Sequence, residues 1–82
     1  MRLDIAPHFI RSYRKATPGV QRKFDKQSAL LLRNLLHPSL RAKKYGVAGN
    51  LWQARVTGAW RFYFTTEGDA YHLHEIKVHP KD

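Results

Sequence analysis

The clearest pattern of hydrophobic and polar positions flanks residues 57–59, where the two types alternate before and after a glycine-containing tripeptide. A period of two is typical of half-buried β-strands. A three-residue loop places Ala54 opposite Phe62 on one face. It places Arg55 opposite Arg61 on the other face, whereas a two-residue loop would mix apolar and charged side chains on both. We therefore predict a hairpin with one apolar face and one polar, doubly cationic face.

Apolar positions at helical spacing indicate two helices before the hairpin. The first begins at Pro7, since proline is favoured in the first turn of a helix. The second begins at Pro18 with Thr17 as its N-cap. It ends at 36–38, because the residue before a proline avoids the helical region. The polar, basic and glycine-containing residues 37–50 are predicted to form a connecting loop.

Two further strands complete the predicted fold. Residues 2–6 alternate as a short first strand, and residues 70–78 form a last strand after a turn at 67–69. Pro80 then closes the chain. The order β-α-α-β-β-β predicts a single α+β domain over residues 1–82, a helical hairpin packed on one face of a small antiparallel sheet. The first strand should join that sheet beside a central strand.

The last strand should add polar side chains to the cationic face of the hairpin. Ile76 and Val78 are expected in the core, so a period of two turns Glu75, Lys77 and His79 to the opposite face. That open face would collect Gln53, Arg55, Arg61, Tyr63, Glu75, Lys77 and His79.

Two other histidines do not fit this alternation. His72 and His74 fall on the apolar side unless a bulge near Leu73 shifts them, and we assign them no role. Together with His79 they could in principle bind zinc. Histidines two residues apart without a nearby carboxylate are more often incidental, so we predict no metal site and no cofactor.

Charge is the most informative feature of the composition. Fifteen Lys and Arg stand against six Asp and Glu, which gives a net charge of +9. No acid lies between Asp25 and Glu67, an interval that contains the cations Lys26, Arg33, Arg41, Lys43, Lys44, Arg55 and Arg61. Such a field implies an anionic partner, with nucleic acid first and an acidic protein second. The chain has no cysteine, which excludes disulfides and thiolate metal sites and fits the cytoplasm, and no membrane segment is predicted.

The open face has the residue types for cutting RNA without a metal. That reaction needs a base for the 2′-hydroxyl, cations for the negatively charged transition state and an acid for the leaving oxygen. Directly opposed arginines repel each other unless an anion lies near them, and guanidinium groups match phosphate oxygens. Simpler interpretations stay open. The arginines could extend into water, Arg55 could pair with Glu75, and His79 could be an exposed terminal residue.

The sequence also resembles a known family. The hairpin pattern R-V-x-x-x-W-R-F-Y-F from Arg55 to Phe64, the stretch HPSLRAKKY before it and the ending EIKVHPK are similar to those of the RelE/ParE superfamily of type II toxin–antitoxin toxins. The resemblance spans nearly the whole chain and implies the same order of elements. In the RelE-like branch, it implies a ribosome-dependent, metal-independent mRNA endoribonuclease that is neutralised by a small, acidic, DNA-binding antitoxin.

The resemblance also assigns roles to residues. His79 matches the position of a catalytic histidine in YafQ- and YoeB-like members, and Arg61 and Arg55 match basic residues that stabilise the phosphate. Contacts with mRNA or ribosomal RNA are expected from Arg41, Lys43, Lys44, Gln53, Tyr63 and Lys77. Three alternatives remain: a ParE-like inhibitor of DNA gyrase, a ribosome-binding inhibitor without chemistry, and a decayed toxin.

Overall fold

A computed structural model of the chain describes residues 1–45 and 50–79. Within these residues, a pair of helices packs on a five-stranded sheet. The elements are strand β1 (Arg2–Ile5), helices α1 (Pro7–Lys15) and α2 (Pro18–Arg33), and strands β2 (Lys43–Lys44), β3 (Leu51–Arg55), β4 (Trp60–Glu67) and β5 (Ala70–Val78). The strand order across the sheet is β1-β5-β4-β3-β2. The predicted α+β class is confirmed, and the predicted order of elements is confirmed apart from the additional strand β2.

The sheet is mixed, whereas the sequence predicted an antiparallel one. Strand β1 runs parallel to β5, with Arg2 opposite Ala70 and Ile5 opposite Leu73. The two helices carry the chain away from β1, so no tight turn forces an antiparallel return. Strand β1 lies at one edge of the sheet, beside β5, which is an inner strand as predicted.

The predicted connecting loop contains regular structure. A 3₁₀ turn covers Pro38–Leu40, and strand β2 pairs with β3 through Lys43 and Gln53. Leu40 is fully buried, which fixes the segment against the core because burying an apolar side chain is favourable. Residues 46–49 of the predicted loop and the chain closure at Pro80 lie outside the described residues.

Both helices begin where the sequence predicted. Proline occupies the first turn of each, and Thr17 Oγ1 accepts the backbone N–H of Val20 at 3.3 Å. Helix α2 ends at Arg33, three residues before the predicted stop. The reason is local: Asn34 leaves the helix in an extended conformation, and its Oδ1 accepts the N–H of Leu36 at 3.0 Å. An asparagine side chain can replace helical hydrogen bonds in this way.

The predicted hairpin register is confirmed. Arg55 lies opposite Arg61, and Ala54 lies opposite Phe62. The N–H of Val56 donates to the carbonyl of Trp60 at 3.0 Å, which leaves a three-residue loop between them. The apolar face of the hairpin packs against the helices to form the core. The buried side chains of this core include Phe9, Phe24, Leu31, Ala54, Val56, Phe62, Phe64, Leu73 and Ile76.

The sheet contains the bulge that was considered near Leu73. Tyr63 lies opposite Glu75, but Phe64 lies opposite Leu73, so His74 is the extra residue. Two residues face one across a bulge, which reverses the alternation beyond it. His72 therefore lies on the open face, opposite Thr65 rather than among core residues.

Candidate functional site

Three cations form a continuous line across the open face at the hairpin loop. Arg55 lies opposite Arg61, and Arg61 lies opposite Lys77, so one residue comes from each of β3, β4 and β5. We call Arg55, Arg61 and Lys77 the cation row. Within residues 1–45 and 50–79, neither arginine has a carboxylate partner. Opposed like charges are unfavourable in a sheet, so the row is suited to an anionic ligand.

The guanidinium groups of both arginines lie at the hairpin loop rather than over the middle of the sheet. Arg61 Nη1 donates to the carbonyls of Thr57 at 2.7 Å, Trp60 at 3.1 Å and Gly58 at 3.3 Å. A methyl group placed on Gly58 would lie 3.7 Å from Arg55 Nη2. Arg61 thus uses one nitrogen to hold the loop, and its remaining N–H groups donate to no acceptor among the described residues.

Glu75 was the expected alternative partner of Arg55. Its Oε2 lies 3.4 Å from His8 Nε2, and its Oε1 lies 3.7 Å from Lys77 Nζ. The carboxylate therefore faces α1 and the outer end of the cation row. It pairs with neither arginine.

His79 is attached to the same loop. Its backbone N–H donates to the carbonyl of Ala59 at 2.6 Å. The ring is half-buried, and Nδ1 is inaccessible and has no hydrogen-bond partner among the described residues. This anchoring differs from the alternative of an exposed terminal residue. Nε2 is left as the ring nitrogen available to a substrate.

Gln53 and Tyr63, two residues along the strands from the opposed arginines, lie beneath the cation row on the open face. Gln53 and Tyr63 lie opposite each other and are buried, only 5% and 8% exposed. Lys77 Nζ lies 5.2 Å from the centre of the Tyr63 ring, and the Tyr45 ring packs against that ring at 5.6 Å. Burial raises the pKa of Tyr63. Tyr63 is therefore a neutral platform under Lys77, in a cation–π contact, and offers little surface of its own.

The other predicted contact residues separate into two groups. Lys43 lies opposite Gln53 and shares the open face, whereas Lys44 lies opposite Trp52 on the helix side of the sheet. Arg41 lies beside Arg55 in a cavity under the hairpin. The structure thus brings Lys43 to the side of the cation row, whereas Lys44 lies on the helix side and Arg41 at the cavity that α2 and the 3₁₀ turn line.

Sequence reasoning missed the residue that holds this region together. Gln27 of α2 is 1% exposed, and its Nε2 donates to the carbonyls of Arg55 at 2.9 Å and Ser39 at 3.2 Å. Its Oε1 accepts the Ser39 hydroxyl at 3.1 Å. The sequence does contain one indication of this role, because Gln27 occupies a core position of the helix between Phe24 and Leu31. A buried amide needs hydrogen-bond partners, and here it ties α2 to the end of β3.

The remaining histidines have separate partners. His72 Nδ1 lies 3.3 Å from Asp4 Oδ2, and His74 Nε2 lies 2.9 Å from Thr65 Oγ1. The described residues hold no cluster of three side chains arranged to bind a metal ion. Over the same residues, neither helix is long and apolar enough to cross a membrane.

Several solved structures have this fold over almost their full length. The YoeB/ParE toxin from Agrobacterium tumefaciens superposes with a TM-score of 0.82 at 14% identity, covering 98% of this chain and 100% of that one. The archaeal RelE-RelB complex from Pyrococcus horikoshii OT3 gives 0.76 at 16% identity, with 94% and 92% covered. The DinJ-YafQ toxin-antitoxin complex from E. coli gives 0.78 at 13% identity, with 94% and 90% covered.

These similarities are structural. No protein-family model matches the sequence, and no curated protein does. The chain has the RelE/ParE-type toxin fold, so the predicted resemblance is confirmed at the level of the fold.

Proposed function

We propose that this protein is the toxin of a type II toxin–antitoxin system and that it inhibits translation by cutting mRNA on the ribosome without a metal ion. The observation that carries the proposal is the cation row, in which Arg55 and Arg61 have no carboxylate partner among residues 1–45 and 50–79, beside a histidine anchored to the same loop. Folds of this type serve several activities, so the site rather than the fold supports the chemistry.

In the proposed reaction, His79 Nε2 takes the proton of a ribose 2′-hydroxyl. The 2′-oxygen attacks the adjacent phosphorus, and the bond to the 5′-oxygen breaks. The leaving oxygen takes up a proton from water, and protonated His79 gives its proton to the resulting hydroxide. The products are a 2′,3′-cyclic phosphate and a 5′-hydroxyl. His79 acts as the general base, which typically contributes a factor of about 10²–10⁴ in rate.

Arg61 and Arg55 stabilise the charge that builds up on the phosphate oxygens. Both guanidinium groups lie near Gly58, and the loop carbonyls hold that of Arg61 in place before the phosphate arrives. Prepositioned donors of this kind are usually a large part of catalysis. Lys77 sits at the end of the row, over the neutral Tyr63 ring.

RNA outside the cut site would contact the basic residues around the row. Lys43 extends the open face at the sheet edge, and Arg41 lies beside Arg55. Lys44, on the opposite face, would contact ribosomal RNA instead. The net charge of +9 supports both contacts, because phosphate neutralisation dominates the affinity for nucleic acids.

A cognate antitoxin belongs to this proposal. Two structures with the same fold are described as the RelE-RelB and DinJ-YafQ complexes, the second as a toxin-antitoxin complex. We expect the partner to be a small acidic protein with a DNA-binding region, since it must cover a strongly basic surface. The system would act in the cytoplasm, where ribosomes translate mRNA.

The decisive experiment adds the purified protein to translating ribosomes and, separately, to DNA gyrase with DNA. We expect mRNA to be cut in the decoding site and gyrase to turn over normally. EDTA should not prevent cutting at magnesium concentrations that keep ribosomes intact. Uncut mRNA together with trapped gyrase–DNA complexes would instead establish a ParE-like inhibitor, and ribosome binding without cutting would establish a non-catalytic one.

A further inference from the structure

A second cationic site lies under the hairpin, on the side of the 3₁₀ turn. A cavity of about 390 Å³ is lined by Lys23 of α2, by Arg41 and by Arg55, together with the polar residues Gln27 and Ser39. No carboxylate of the described residues lines it. Three cationic residues around one polar cavity make its electrostatic potential positive, which favours the binding of an anion.

The framework of this cavity is preorganised. The Gln27 amide donates to the carbonyls of Ser39 and Arg55, and it accepts the Ser39 hydroxyl. These bonds join three separate segments: a helix, a 3₁₀ turn and the end of a strand. Because the polar groups of Gln27 and Ser39 already bond within the protein, the cationic side chains are the groups available to bind a ligand.

The backbone at Arg41 points to the same conclusion. Arg41 has a φ of +45° and is the non-glycine residue with positive φ among those that the structure describes. Its N–H closes the 3₁₀ turn by donating to the carbonyl of Pro38 at 3.3 Å. Glycine would adopt this conformation without strain but would bring no charge. A strained arginine at a cationic cavity is typical of a functional position.

The cavity and the proposed catalytic centre share one residue. Arg55 lines the cavity, and its Nη2 also lies beside Gly58, where Arg61 Nη1 makes its hydrogen bonds. We infer that the cavity binds a phosphate group of the RNA strand next to the one that is cut. Lys23 and Arg41 would be binding residues of this second phosphate, with Arg55 between the two. Since RNA is the proposed substrate, the assignment rests on the proposed function.

Inorganic phosphate is the first probe. Titrated into the ¹⁵N-labelled protein, it should shift the backbone amides of Ser39 and Arg41 and the Gln27 side-chain amide in NMR spectra. Arg41→Gly and Lys23→Gln should each weaken this binding about tenfold, because each removes a charged contact. Lys26→Gln and Arg33→Gln remove the same charges from exposed positions of α2 outside the cavity, and they should leave binding unchanged.

Arg41→Gly also separates the ligand contact from folding. Replacing a strained left-handed arginine with glycine should keep or raise the melting temperature while phosphate binding falls. Equal losses in the cavity and control variants would show a diffuse positive field and overturn the site. The site would also be overturned if phosphate did not shift the NMR signals of the Ser39 and Arg41 backbone amides and the Gln27 side-chain amide.

The second probe is a single-stranded RNA with 2′-O-methyl groups, which cannot be cut. It should displace phosphate from the cavity, and Arg41→Gly should weaken its binding more than Arg33→Gln does. RNA that binds without displacing phosphate would overturn the assignment to an RNA phosphate. Neither probe measures cleavage, so failure of the nuclease proposal cannot be mistaken for failure of this site.

Discussion

The two ends of the sheet differ in how their charges are balanced. At the hairpin end, around loop 57–59, Arg55 and Arg61 oppose each other without a carboxylate partner in the described residues. At the turn end, around residues 67–69, the cation Arg2 is paired with the carboxylates of Asp4 and Asp69. Within the described residues, one end of the sheet thus has a paired cation and the other has two unpaired arginines. We call them the paired end and the unpaired end.

The turn end shows what a structural charge cluster looks like. Arg2 pairs with Asp4 at 3.4 Å and with Asp69, and these carboxylates, Asp4 first, raise the pKa of Arg2. Asp4 also lies 3.3 Å from His72. Arg2 is neutralised there by carboxylates and needs no anionic ligand. The hairpin end lacks that mutual neutralisation, and this difference, more than the net charge, identifies where an anion should bind.

The largest expected effect is at His79. His79→Ala should lower the rate of mRNA cleavage by about 10²–10⁴, the usual contribution of a general base. Ribosome affinity should stay the same, because the cations are unchanged. His74→Ala is the matched control, since its ring is hydrogen-bonded to Thr65 at the bulge, away from the cation row, and the rate of this variant should equal that of the wild type. Equal losses in the two variants would refute the role of His79.

Arg61→Ala should have the next largest effect. Cleavage should fall by about 10²–10³, and Arg61→Lys should recover only a fraction of it because an ammonium cannot make a forked contact. Loss of the bonds to loop carbonyls costs about 1 kcal/mol of unfolding free energy, which relief of the repulsion with Arg55 partly offsets. Thermal melts run beside cleavage rates separate the two contributions. An unstable variant with normal activity in its folded fraction would show Arg61 to be purely structural.

Salt dependence compares the two ends directly. Affinity for ribosomes or RNA should fall steeply between about 50 and 200 mM salt, because neutralised phosphates release counterions. Arg55→Gln should reduce the slope of log affinity against log salt by about 1. Arg2→Gln removes the same charge from the paired end and should leave the slope unchanged. A flat salt response, or equal slopes in the two variants, would contradict the distinction between the ends.

The smallest expected effect is at alkaline pH. Burial raises the pKa of Tyr63, so the folded state holds its proton more tightly than the unfolded state does. The resulting stability is complete below a pH of about 10, where a free tyrosine ionises, and is lost as the pH rises through the folded pKa. Tyr63→Phe should therefore reduce the loss of stability above that pH in urea unfolding. An unchanged alkaline profile would show that Tyr63 ionises as easily in the folded protein.

The hairpin was predictable because its information is local. A period of two and a loop of fixed length decide which side chains share a face, and this placed Arg55 opposite Arg61 before any tertiary contact was known. The helix starts at Pro7 and Pro18 were predictable for the same reason. The bulge at His74 was considered because His72 would otherwise have faced the core.

What the sequence could not reveal depends on contacts between distant segments. The parallel pairing of β1 with β5 joins residues that two helices separate. Gln27 gives little local signal of its role, since its partners Ser39 and Arg55 lie 12 and 28 positions along the chain. The positive φ of Arg41 is also invisible in the residue type, because glycine or asparagine is the usual choice there.

The chemistry of the cut ends tests the central claim most directly. If the hairpin end cleaves RNA through the 2′-hydroxyl, mRNA cut on ribosomes by the wild-type protein should carry a 2′,3′-cyclic or 3′-phosphate on one fragment and a 5′-hydroxyl on the other. Mapping both termini of the same cut, with His79→Ala run in parallel, gives the answer. Fragments that end in a 3′-hydroxyl and a 5′-phosphate would require a different attacking group and would contradict the mechanism.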